Sequence, residues 1–228
     1  MRDAGASDDD LRAILAEGSF FPQQIIALLK SKIETNFVSA LEDDAIPENL
    51  KLLAVKWRAL ATKLGYDGPV AWRVRAGFTL KEHAPKAGPC YQGFQYLQDW
   101  KFEDEPTRDM IVFWIPRLVS DSISKTVLEQ KELLADLRQE FRLPETHLVN
   151  FGSPALLVAL IFAHFKATGE RVPLNCLWAR TDICNSDGFR LVLGYFVDSG
   201  LDCVYWRWDG GGSPIIGVFA LGVEALGF

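Results

Sequence analysis

The chain has 228 residues, of which 49% are hydrophobic and 24% are charged, with seven tryptophans and fifteen phenylalanines. This balance is typical of a globular protein and excludes disorder of the chain as a whole. The formal net charge of −6 argues against nucleic-acid binding and against attraction to an anionic membrane, because both need a basic surface.

The sequence also argues against secretion and against a membrane span. Residues 1–10 are acidic and polar, without the apolar run of a secretory signal. The longest strongly apolar run, 154–165, is shorter than the ~20 residues that cross a bilayer. None of the four cysteines forms a C-x-x-C motif, so we expect reduced thiols and a cytoplasmic location.

The amino-terminal part is predicted to be helical. Residues 1–8 are expected to be a disordered acidic tail, and 9–228 a single α+β unit whose helical part is 9–65 and whose sheet-containing part is 66–228. Apolar residues at helical spacing predict a short helix after the tail and a second one over 22–43. A third is expected between Pro47 and Gly65, which suit the start and the end of a helix.

Strands and helices are mixed in the middle of the chain. The pattern predicts strands over 70–78 and 110–116, with Pro116 closing the second. The composition of 81–89 is typical of a loop, and 90–100 fits a short helix or an aromatic loop equally well. Helices are expected over 122–142 and 153–168, and the second is so apolar that it must be covered on most sides.

The last quarter of the chain predicts an antiparallel meander. Apolar, β-branched and aromatic segments alternate with short stretches rich in Gly, Asp, Asn and Ser. The four segments are 173–180, 189–197, 201–208 and 213–221. The expected fold is therefore α+β: an N-terminal helical layer, then a mainly antiparallel sheet of about five or six strands that ends in this four-strand meander, with packed helices.

Cys90 is the strongest candidate for a nucleophile. It follows Gly88 and Pro89 and would open a helix, where the dipole lowers a thiol pKa. His147 as base and Asn150 as orienting group would complete a cysteine hydrolase or transferase. No family signature surrounds Cys90, so the competing interpretation is a structural thiol and an unrelated histidine.

No metal site or cofactor is expected from the sequence. The three histidines share no ligand spacing, and His164 in the apolar helix reads as a core residue. Asp182, Asp187 and Asp209 lie in turns at one end of the predicted meander and could hold Ca²⁺. Aspartates in turns more often bond their own backbone, which is the interpretation we prefer.

Paired tryptophans and arginines suggest a binding surface on the sheet. These residue types dominate binding hot spots, and a stacked arginine can hold carboxylate or phosphate. The candidates are Trp178, Arg180, Trp206, Arg207 and Trp208. The alternative is that the rings fill the core while Arg180 pairs with Asp182 or Asp209.

The sequence therefore predicts a non-catalytic cytosolic binding protein, with another protein or a small anionic ligand as its partner. Cysteine-dependent hydrolysis or transfer is the alternative. Nucleic-acid binding through Arg73 and Arg75 is a weaker third possibility. No membrane partner is expected, and no feature of the sequence sets an oligomeric state.

Overall fold

A computed structural model describes residues 36–97, 104–206 and 209–226, without the side chain of Trp206. Residues from Val38 onwards form one unit by their mutual contacts. The first predicted helix and most of the second lie outside the described residues. The proposed division into a tail and a single unit stays a prediction.

Two four-stranded sheets confirm the α+β class. The first sheet is antiparallel, in the order β1 (Val38–Ala40), β2 (Ala71–Val74), β3 (Met110–Leu118), β8 (Phe219–Ala225). The second has the order β6 (Gly200–Trp206), β5 (Arg190–Val197), β4 (Trp178–Cys184), β7 (Ile216–Gly217), and only β7 is parallel to its neighbour. The described strands therefore form two sheets rather than the single sheet expected from the sequence, and they outnumber its five or six strands.

Strand β1 corrects the end of the second predicted helix. Val38, Ser39 and Ala40 pair antiparallel with residues of β2, and Leu41 continues the contact by donating its N–H to the Ala71 carbonyl at 2.9 Å. A helical pattern of apolar residues was present over 22–43, but pairing with an existing strand outweighs local propensity in so short a segment.

The third predicted helix is confirmed as α1, Glu48–Lys63. Its buried stripe is Leu50, Leu53, Ala54, Trp57, Leu60 and Ala61. Gly65 follows with φ +72°, and Tyr66 donates its N–H to the Ala61 carbonyl at 2.9 Å, which closes the last turn. The stripe packs on the face of the first sheet that carries Phe113.

Helix α2, Leu80–Ala87, replaces a predicted loop. The Thr79 side chain accepts from the Glu82 N–H at 3.3 Å and begins the helix, although Pro85 lies inside it. Gly88 ends it where an added Cβ would lie 2.5 Å from the Phe162 ring. The following Tyr91–Leu97 segment forms tight 3-10 turns with left-handed residues rather than an α-helix.

Strand β3 and helix α3 form as expected, with shifted ends. β3 runs past Pro116, and its register with β8 breaks between Trp114 and Leu118 because proline has no N–H to donate. α3 spans Val127–Glu140 and begins later than predicted, because Thr126 and Glu129 form a reciprocal capping box.

Helix α4, Pro154–Thr168, is the covered apolar helix that the sequence predicts. Ser153 accepts from the Leu156 N–H at its start, and Gly169 ends it with φ +73°. The helix contacts β1 of the first sheet and β4 and β5 of the second. It therefore forms part of the core between strands of both sheets.

The predicted meander is correct for the pairing order of three strands and wrong for the fourth, and β4 begins five residues later than the predicted 173–180. β4, β5 and β6 pair in sequence order, but β7 returns to lie parallel to β4. One residue later the chain enters β8 and pairs with β3 of the first sheet. Val218 makes this crossing, and its N–H donates to the Ser122 hydroxyl at 3.2 Å.

Candidate functional site

Two arginines of the second sheet share one carboxylate. Arg180 of β4 and Arg190 of β5 lie on one face of the sheet, because Arg180 is in register with Val192, two residues beyond Arg190. Arg180 Nη1 donates to Asp209 Oδ1 at 3.2 Å, and Arg190 Nη2 donates to Asp209 Oδ2 at 2.7 Å. We call the two guanidinium groups the arginine pair.

Arg190 holds Asp209 in a planar fork. Its Nε lies 2.9 Å from Oδ1 while its Nη2 reaches Oδ2, so both carboxylate oxygens are bound by one guanidinium. Its Nη1 donates to the Thr181 carbonyl at 2.8 Å, and its guanidinium carbon lies 5.5 Å from the centre of the Phe151 ring. The side chain is thus fixed by contacts within the protein.

Burial differs sharply across this cluster. The Arg180 side chain is completely buried, Arg190 is 12% exposed and Asp209 is 34% exposed. Burial lowers the pKa of Arg180, and the charge of Asp209 opposes that shift. Burial also acts to lower the pKa of Arg190, but the hydrogen bonds and charge of Asp209 outweigh it and raise the pKa. The negative charge of Asp209 therefore stabilises the charged form of both arginines.

Asp209 is anchored by its backbone as well as by the hydrogen bonds of its carboxylate to the arginine pair. Its carbonyl accepts from the Val127 N–H at the start of α3, at 3.0 Å. Three glycines follow it, and Gly210 has no atom within 4 Å of an added Cβ. The Asp209 side chain is itself 34% exposed, so its carboxylate lies at the surface beside this glycine run.

Two of the three aspartates considered for Ca²⁺ have other partners. Asp182 accepts from the N–H groups of Phe151 at 2.8 Å and Gly152 at 2.9 Å, while Asp209 neutralises the arginine pair. Among the described residues, no group of three or more His, Cys, Asp or Glu side chains is placed to hold a metal ion.

Two of the predicted binding residues are buried. Trp178 packs with Val192 and Ile216, and its ring lies 5.2 Å from that of Tyr195. Arg180 pairs with Asp209, which confirms the ion pair that the alternative interpretation expected. Arg207, Trp208 and the side chain of Trp206 lie outside the described residues. The backbone of Trp206 is opposite Arg190 in the pairing of β5 with β6.

Cys90 lies between α2 and β6, in an environment that does not activate a thiol. Its backbone bridges to Leu201, and its thiol donates to the Gly88 carbonyl at 3.7 Å. Burial raises the pKa of the thiol to about 12. At neutral pH this group is a thiol rather than the nucleophilic thiolate.

His147 is enclosed in the core with both ring nitrogens engaged. Trp57 donates its indole N–H to Nδ1 at 3.0 Å, and Nε2 lies 2.9 Å from Glu224 Oε1. Because Nδ1 accepts, the neutral ring carries its proton on Nε2 and donates it to Glu224. Burial lowers the pKa of His147, and the charge and hydrogen bond of Glu224 oppose the shift.

The first sheet separates Cys90 from His147. His147 contacts Phe113, whose side chain is on the face toward α1. Trp114, the next residue, points to the other face and contacts His164 of α4. The segment before Cys90 packs on α4 through Gly88 and Phe162. The structure therefore does not bring the predicted nucleophile and base together, and Asn150 is exposed.

A surface cleft of about 250 Å³ lies between the end of β1, α1 and the start of β2. Glu42, Asp43, Asp67 and Arg58 line it over an apolar floor. Arg58 already forms an ion pair with Asp43. The three acidic residues of the cleft outnumber Arg58, so the charge of the cleft is the opposite of what an anionic ligand needs. Elsewhere, Arg73, one of the two arginines of the nucleic-acid alternative, pairs with Asp109 at 3.1 Å.

Arg190 and Phe151 are the members of the site that sequence reasoning missed. Arg190 is one polar residue at the start of an otherwise apolar strand, which is a usable signal for a site at a strand end. Phe151 gave none, because its contact with Arg190 joins residues 39 positions apart and depends on how α4 meets the second sheet.

No known protein family, curated protein or solved structure matches the chain. No helix in the described ranges is long and apolar enough to cross a membrane. What the arginine pair does therefore has to follow from its own geometry.

Proposed function

We propose that this protein is a non-catalytic binding protein that holds an anionic group, on another protein or a small ligand, at the arginine pair. The observation that carries the proposal is the two-point hold of Arg190 on a carboxylate that is 34% exposed. Arginine recognises carboxylate and phosphate through forks of this kind.

The rigidity of Arg190 supports this use. Its side chain is already ordered by the Thr181 carbonyl and the Phe151 ring, so binding costs little further loss of rotamer freedom. Arg180 lies behind it and adds a second positive charge from the interior.

A binding role rather than a catalytic one fits the state of the predicted catalytic residues. The Cys90 thiol has a raised pKa, and His147 is completely buried with both nitrogens occupied. The cytoplasmic location is part of the same proposal: all four cysteines are unpaired, and Cys176 and Cys184 are exposed, as suits a reducing compartment.

Isothermal titration with two defined probes tests the proposal: glutarate and a tetra-aspartate peptide. We expect the wild-type protein to bind at least one of them, and Arg190→Gln to weaken that binding by about tenfold or more, since a lost charge-assisted fork is worth roughly 1.5–3 kcal/mol. Tighter binding of glutarate would indicate a small ligand, and tighter binding of the peptide would indicate an acidic protein segment.

Arg171→Gln is the matched control. Arg171 also pairs with an aspartate, Asp198 at 3.1 Å, and also lies over aromatic rings, Phe165 and Phe196. These contacts do not involve the arginine pair, so Arg171→Gln should bind the probes as wild type does. If circular dichroism shows that Arg190→Gln and Arg171→Gln are both folded, equal binding by wild type and Arg190→Gln would show that the arginine pair is not the binding site.

A further inference from the structure

We infer that Asp209 is an internal competitor: its carboxylate occupies the place that the ligand's own carboxylate takes, and it leaves when the ligand binds. This inference rests on the proposed function and names its ligand class, a carboxylate, and its regulation. The carboxylate that the site already holds is the evidence for the class, because it meets Arg190 at two points and Arg180 at a third.

Departure of Asp209 is possible without unfolding the strands. Its backbone stays tied to Val127, while a third of the side chain already faces solvent. On the far side of the glycine run, Ser213 accepts from the Ser124 N–H at 2.8 Å and holds the loop. Gly212 is fixed against Ser124, where an added Cβ would lie 2.1 Å from the carbonyl oxygen. Only the Asp209 side chain has to move.

Removing the carboxylate from the arginine pair is costly. Arg180 is completely buried, and losing the carboxylate that it pairs with is destabilising. The site therefore exchanges one carboxylate for another rather than opening to water. A ligand has to compete with Asp209, so the measured affinity is the intrinsic affinity multiplied by the fraction of time that the internal carboxylate is away from the arginine pair.

Asp209→Asn tests the exchange by chemical rescue. The variant keeps the side-chain volume but removes the charge, so its melting temperature should fall by about 5–10 °C. Acetate should raise the melting temperature of Asp209→Asn by several degrees more than that of wild type, because it has to displace only a neutral amide in the variant and a charged, tethered carboxylate in wild type. Sodium chloride at the same ionic strength should not reproduce the difference.

Affinity gives a second readout. If Asp209 occupies the pair more than nine-tenths of the time, its removal should tighten glutarate or tetra-aspartate binding by at least about tenfold. Should Asp209→Asn fail to fold, Asp209→Glu replaces it: the longer side chain misplaces the carboxylate, and acetate should stabilise this variant more than wild type.

Asp198→Asn is the matched control, since its partner Arg171 is half-exposed and needs no replacement anion. It should neither lose stability nor respond to acetate. If wild type binds the probes through Arg190 while Asp209→Asn shows neither rescue nor tighter binding, the competitor role is wrong and the proposed function stands. If no protein binds any probe and acetate rescues nothing, both are wrong.

Discussion

At the scale of single residues, His147 shows how burial sets a pH dependence. A protonated ring has no acceptor at Nδ1, so it would lose the hydrogen bond from Trp57. Burial lowers the pKa of His147 against the opposing charge of Glu224, and burial likewise lowers that of His164. Below the ordinary histidine pKa of about 6.5, the unfolded chain therefore binds protons that the folded protein does not.

We accordingly expect the free energy of unfolding to fall as the pH drops from 7.5 to 5.0. The loss is at most about 1.4 kcal/mol per pH unit for each histidine. Urea unfolding at a series of pH values measures it. His147→Gln should show a shallower pH dependence than wild type, with the His164 part remaining. Identical slopes in the two proteins would contradict the role of His147.

Gly222 is the residue that makes room for this histidine. A Cβ at position 222 would lie 2.3 Å from His147 Nδ1, the atom that accepts from Trp57. Gly222→Ala should therefore displace the ring and cost about 2 kcal/mol, within the range for overpacked cores. Gly210→Ala has open space around its new methyl group and should stay within about 0.5 kcal/mol of wild type. Equal urea midpoints for both variants would refute this packing.

At the scale of elements, α4 supplies the core between strands of both sheets. Leu160 in the middle of this helix is completely buried, whereas Leu128 on α3 is 67% exposed. Leu160→Ala should lower the free energy of unfolding by about 3 kcal/mol, and Leu128→Ala by less than about 0.5 kcal/mol. Urea titrations compare them. A similar small effect for both would show that α4 is not part of the core.

Elements with a complete local signal were predictable, and those that depend on distant partners were not. α1 and α4 combine a start residue, an apolar pattern and a stop glycine, all readable in one window. β1 is three residues long and exists because β2 is beside it. The parallel pairing of β7 and the switch to β8 join segments far apart in sequence, which a local pattern does not encode.

The candidate site follows the same rule. Arg180 and Asp209 could be paired from the sequence, because turns at one end of a meander bring their residues together. The sequence does not predict the fork of Arg190, since its geometry depends on the Thr181 carbonyl and the Phe151 ring. The separation of Cys90 from His147 depends on which face of the first sheet each occupies, and sequence order carries no such information.

At the scale of the whole unit, the crossing at Val218 ties the two sheets together. Val218 accepts from the Val119 N–H at 2.8 Å, next to the end of β3. Gln130 of α3 adds a second tie, since its side-chain amide donates to the carbonyls of Ser122 and Ile216. Such shared hydrogen bonds, together with α4, should make the sheets unfold in one transition.

Thiol labelling tests this cooperativity. Cys203 is completely buried in the second sheet, so it should react only when that sheet opens. In a variant with Cys90, Cys176 and Cys184 replaced by serine, labelling of Cys203 should follow the same urea dependence as tryptophan fluorescence. A protein that keeps only the exposed Cys184 should react without urea. Labelling of Cys203 well before the fluorescence change would mean that the second sheet opens alone.

The crossing also has a consequence for synthesis on the ribosome. β3 is an apolar strand that is finished at Leu118, but its neighbour β8 begins only at Phe219. Roughly a hundred residues must be translated in between, which takes about 5–20 s at ordinary elongation rates. During that interval one edge of a nascent hydrophobic strand has no partner. We expect a holdase chaperone to protect it until the last strand emerges from the exit tunnel.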